Sequence, residues 1–136
     1  DKMADAVTSQ TIQDGERTAV LRFTNVSDGT GESAVKKVDV SALGSNTKGQ
    51  ACTEVHIQRI WWSCVGMSVK IDFDASTNVL AIGLPADSTG DEYYDTFTAI
   101  PNNAGSGKTG DLDFTTTGHS SGDSYMIILE LIKKYD

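Results

Sequence analysis

The chain has 136 residues, with 11 Lys or Arg against 19 Asp or Glu, for a formal net charge of −8. That length fits one domain able to bury roughly two-thirds of the surface of its unfolded chain, enough to fold without disulfides or a metal. The acidic balance opposes a sequence-independent grip on a phosphate backbone and so argues against nucleic acid, and no run approaches the ~18 apolar residues of a membrane span.

Met3-Ala4 reads as a natural start, and Asp1-Lys2 as the remainder of an expression tag. The N-terminus has neither the basic nor the apolar region of a signal peptide, so the chain is expected to be soluble. Residues 3–16 are polar, rich in Thr and Gln, with only Val7 and Ile12 as sizeable apolar groups. They are expected to form an N-terminal arm, either frayed or ordered on a neighbour. From 17 onward, period-two patterning dominates and defines a single domain over 17–136. It is clearest where Met67, Val69, Ile71 and Phe73 share one strand face and Ser68, Lys70 and Asp72 the other. Similar segments fall at 17–26, 35–43, 53–62, 78–84, 93–100, 111–117 and 124–133, separated by turn clusters such as Ser27-Asp28-Gly29-Thr30-Gly31 and Gly44-Ser45-Asn46. About eight short strands without a capped helical pattern predict an all-β, jelly-roll-like sandwich.

Several short motifs invite a chemical reading and fail on context. Gly105-Ser106-Gly107-Lys108-Thr109 resembles the end of a P-loop, but Asn102 stands where the first glycine belongs, and a strand pattern at 111–117 follows instead of a helix whose N-terminus could face phosphate. It reads as a solvated turn with Lys108 in water. Gly118-His119-Ser120-Ser121-Gly122 matches the nucleophile elbow G-x-S-x-G, yet only 14 residues remain beyond Gly122 and none is histidine. A Gly/Ser turn between strands accounts for it. Cys52 and Cys64 read as small buried hydrophobes, and a zinc set of Cys52, His56, Cys64 and His119 lacks the short spacing that structural zinc favours. Two acidic groupings, Asp72-Asp74-Ser76 and Asp87-Asp91-Glu92-Asp95, offer oxygen ligands for calcium without the EF-hand pattern, and read as solvated turns. No cofactor is expected.

Trp61-Trp62 is more informative, because neighbours in a strand point to opposite faces. One tryptophan can serve the core, and the other must then lie outside. The last strand repeats the problem, with Tyr125, Ile127, Leu129 and Leu131 on one face and Met126, Ile128 and Ile132 on the other. A sandwich covers one side of each sheet, so Trp61 or Trp62, with Met126 and Ile128, mark a candidate interface for another subunit or a capsid, or else a surface covered by the chain's own arm.

Four stretches carry a family resemblance: Phe23 to Ser33 (FTNVSDGTGES), Ile60-Trp61-Trp62-Ser63, Ile100 to Gly107 (IPNNAGSG) and Gly122-Asp123-Ser124-Tyr125. Across residues 4–133 the chain resembles small virion structural proteins of tailed bacteriophages, notably marine ones. The resemblance implies a particle component with no catalytic residues. Within that class it suggests a head decoration or cement protein made in the host cytoplasm, carried on the outer capsid surface, bound to the major capsid protein and assembled as a homo-oligomer, a trimer being favoured. A tail, neck or fibre component is the alternative. A jelly-roll carbohydrate-binding module, with exposed aromatics stacking on sugars, is the second.

Overall fold

A computed structural model describes residues 5–96 and 99–135. Its strands are β1 (Ala6–Asp14), β2 (Thr18–Val26), β3 (Val35–Val38), β4 (Cys52–Val65), β5 (Ser68–Phe73), β6 (Val79–Leu84), β7 (Ser88–Tyr93), β8 (Leu112–Thr117) and β9 (Ser124–Tyr135), with one 3-10 turn at Val40–Ala42. The first sheet runs β1-β2-β9-β4-β7 and the second β3-β8-β5-β6. The pairs β2–β9, β3–β8, β4–β7 and β5–β6 are nested and antiparallel. The chain from β2 onward is thus one long hairpin, closed at the β5–β6 turn and rolled so that its arms lie alternately in the two sheets. That is the jelly roll the sequence predicts, with one strand added at an edge.

Alternation builds the core. Ala19, Leu21 and Phe23 of β2 and Tyr125, Ile127, Leu129 and Leu131 of β9 point inward, against Val69, Ile71 and Phe73 of β5 and Leu112 and Phe114 of β8. Phe114 spans the gap, edge-on to Phe23 at 5.3 Å and to Tyr125 at 5.9 Å. Beside these rings lies a buried polar cluster. A bulge turns Lys37 inward, where its ammonium meets Glu32 at 2.5 Å. Glu32 also accepts from Tyr125 Oη at 2.6 Å and Asn25 Nδ2 at 2.9 Å. Burial and the adjacent Glu32 carboxylate both raise the Tyr125 phenol above its ordinary value.

Three expectations need correction. The predicted arm at 3–16 contains β1, the edge strand of the first sheet. Both its faces meet solvent, so it has no apolar alternation to detect. It is pinned at each end: Asp5 accepts from Asn25 Nδ2 and from the backbone N–H groups of Asp28 and Gly31, while Asp14 meets the buried Lys133 ammonium at 2.5 Å. The strand placed at 93–100 lies earlier, at Ser88–Tyr93, followed by a single bridge between Ile57 and Ile100. Residues 97 and 98 lie outside those described. The segment 35–43 is strand only to Val38, because the Asp39 carboxylate accepts from Ser41 N–H and caps the 3-10 turn.

Candidate interaction face

Which tryptophan faces outward depends on one residue. Val55 and Ile57 point into the core, and strict alternation would send Arg59 and Trp61 after them. Instead β4 bulges between Ile57 and Arg59, leaving Gln58 unpaired with β9, and the phase reverses. Ile60 and Cys64 are therefore buried, Trp62 lies between them on the inner side, and Arg59, Trp61 and Ser63 face out. Trp62 leaves the candidate interface for this reason. Its indole N–H donates to Ser88 Oγ at 3.0 Å, and its ring lies so close over Gly90 that a Cβ there would stand 2.5 Å from the ring carbons. Only glycine fits beneath it.

The same register brings the other three candidates together. Trp61 is the direct cross-strand partner of Ile128, and Ser63 of Met126. Extending these rows across the sheet gives Arg22, Ile128, Trp61 and Asp91 in one, Thr24, Met126, Ser63 and Thr89 in the next, and Val20, Glu130, Arg59 and Tyr93 on the other side. Beyond Met126 a further row holds Val26, Ser124 and Val65, and both valines are 53% exposed. Arg59 binds Asp91 through two nitrogens, at 3.0 and 2.8 Å, and its guanidinium lies 4.6 Å from the Trp61 ring centre and 5.3 Å from that of Tyr93. The hydrogen bond with Asp91 holds the guanidinium pKa above its ordinary value and the carboxyl below its own. Arg22, Tyr93 and Val26 are members of this face that alternation from Trp61 could not supply, because they lie on other strands and depend on which strands are neighbours, whereas Arg59 and Val65 share the parity of Trp61 on β4.

The chemical candidates stay apart. Lys108 is not free in water. It pairs with Glu54 at 2.5 Å, Glu54 also meets His56 at 2.6 Å, and although burial would raise the Glu54 carboxyl, these two partners hold it below its ordinary value. The 105–109 loop packs on the β5–β6 turn, with Ser76 N–H donating to Ser106 O and Thr109 Oγ1 to Asp74 at 2.7 Å. Gly107, at φ +77, turns the chain where a Cβ would meet Ser76 Oγ. Ser120 sits in an exposed turn whose backbone N–H donates to Asp123, while His119 Nδ1 meets Thr116 Oγ1 at 3.2 Å. His56 pairs with Ile132, eight residues along β9 from the end of that turn at Ser124, hence roughly 27 Å away. Cys52 and Cys64 lie at opposite ends of β4 and both are buried; burial pushes the Cys64 thiol up to about 11. Asp91 is held by Arg59, and Asp87 accepts from Gly66 N–H at 2.8 Å. No group of three His, Cys, Asp or Glu among the described residues is arranged to hold a metal ion.

Compared with family models, with curated proteins and with solved structures, the chain matches none.

Proposed function

We propose that this chain is a structural protein of a tailed bacteriophage particle, a decoration or cement protein that binds the outside of the assembled head. The reading draws on the sequence resemblance, and its main structural support is the open outer face of the first sheet. The jelly roll there leaves Trp61, Ile128 and Met126 half-buried on its outer side, beside the exposed Val26 and Val65, while the residues of the candidate catalytic sets stay scattered. A protein that binds only the assembled shell stabilises it by mass action, and symmetric repetition multiplies a modest contact. The major capsid protein is the partner and the outer capsid surface the location. Sugar binding is disfavoured by Arg59, whose guanidinium occupies ring surface of Trp61 and Tyr93 on which a pyranose would stack. The test is a density map of the intact particle, with protein copy numbers by mass spectrometry. Decoration requires density outside the capsid lattice and a copy number near that of the major capsid protein. A few copies at the portal, neck or tail would replace it with the tail reading, and retention on a glycan array would revive the carbohydrate-binding one.

A further inference from the structure

We propose that the outer face of the first sheet pairs with the same face of a second copy of this chain, about a two-fold axis passing close to Trp61. This occupant excludes the capsid from the same face, so a dimer binds the head through another surface, and oligomeric state and head attachment are read separately.

Charge selects the occupant. Two copies each carrying −8 repel one another, and like charges juxtaposed in a contact are costly. At the centre of this face the charges cancel, with Arg22 and Arg59 against Asp91 and Glu130. Two of the three arginines in the chain are here. Trp, Tyr, Met and Arg are the side chains that interface cores favour. A basic partner would find no excess of negative charge on this face, whereas a second copy finds a match.

The charges outside the Arg59–Asp91 pair set the geometry, with Glu130 also lying in the field of its cross-strand neighbour Arg59. Arg59 is already bound to Asp91, but among the described residues no ion pair forms at Arg22 or Glu130. These two stand one strand and one row apart, on β2 and β9. An isologous contact makes every cross-pair twice, so Arg22 of each copy can meet Glu130 of the other. With strands ~4.8 Å apart and same-face residues ~6.8 Å apart, the in-plane two-fold that makes this exchange runs within about 2 Å of both Trp61 and Ile128. The tryptophans then meet across the axis, ringed by charge pairs. Five strands by six residues span about 24 Å by 20 Å, just under the roughly 500 Å² per partner that a specific interface needs, so the contact is a weak one.

The test is sedimentation equilibrium of the full chain at about 100 µM and physiological salt. The expected mass is twice the 14.5 kDa of the chain. Trp61→Glu should give a folded monomer by circular dichroism. Arg22→Glu and Glu130→Arg should each weaken the dimer by about tenfold or more, and the double swap should restore it to within a few-fold. A monomeric native chain overturns the proposal, even if Trp61→Glu abolishes attachment to phage heads, because the face would then dock on capsid rather than on itself. A dimer that survives Trp61→Glu, or a double swap without rescue, also overturns it.

Discussion

The two outer faces of the sandwich differ in how they treat water. That of the second sheet carries Ser68, Lys70 and Asp72 on β5, Asp113, Thr115 and Thr117 on β8, and Lys36 on β3. Its one large exposed aliphatic at mid-face is Leu80, at 56%. The β5–β6 turn folds over part of it, burying Asp113 against Asp74 and Asn78, whose amide donates at 3.0 Å. The first sheet leaves Trp61, Ile128, Met126, Val26 and Val65 without such a cover among the described residues. One face is finished within the chain by polar groups and a turn. The other keeps its apolar groups partly open to solvent, and this contrast, rather than total hydrophobicity, is what the proposed interaction face rests on.

The sharpest way to break the comparison is to exchange the roles of the two tryptophans. Trp62→Ala removes an inward ring and its bond to Ser88, and should cost about 3 kcal/mol in urea unfolding. A loss under about 1 kcal/mol would mean that Trp62 is not part of the core.

Asp113 tests the opposite face. Burial, then the hydrogen-bonded Asp74 carboxylate and the nearby Asp111, push its pKa from 3.8 up to about 6, against a smaller lowering by Asn78. Lys36 is engaged by Asp111 at 3.0 Å, and Asp72, the cross-strand neighbour, is itself raised, chiefly by burial. A raised carboxyl pKa means that the folded chain holds this proton more tightly than the unfolded one. The stabilisation is complete below about pH 4 and is lost as pH rises through about 6. Asp113→Asn keeps an acceptor for Asn78, should raise stability at pH 7 by about 1–2 kcal/mol, and should flatten its fall between about pH 4 and 6. An unchanged pH profile would show that Asp113 is not the group titrating there.

On the open face, Trp61→Ala should cost the isolated subunit only about 1 kcal/mol, since the ring is half-buried and faces outward beneath Arg59. If the loss matches that of Trp62→Ala, the outer face is covered by the chain itself. The smallest effect is expected at the P-loop look-alike. Lys108→Ala removes one partly exposed ion pair with Glu54, for about 0.5 kcal/mol, and millimolar ATP should leave the melting temperature of either form unchanged. An ATP-dependent rise abolished by the mutation would reinstate phosphate binding.

Val69-Lys70-Ile71-Asp72-Phe73 and Thr18 to Val26 announce their strands because a half-buried strand must alternate, and turns rich in Gly, Asn and Asp separate them. β1 was silent because an edge strand wetted on both faces has no reason to alternate. Lys37 and Glu32 gave no sign of meeting in the interior, since nothing local distinguishes a buried ion pair from two surface charges.

The sequence by itself determined the all-β class, most strand positions and the fact that Trp61 and Trp62 must face opposite ways, because side-chain alternation is a property of any extended backbone. Tertiary structure alone decided which of them faces the core. The choice rests on the unpaired Gln58, whose carbonyl accepts from Tyr94 N–H at 2.8 Å as the chain runs on beyond β7. A bulge is a mismatch between two strands, and so it exists only once β4 has β9 beside it.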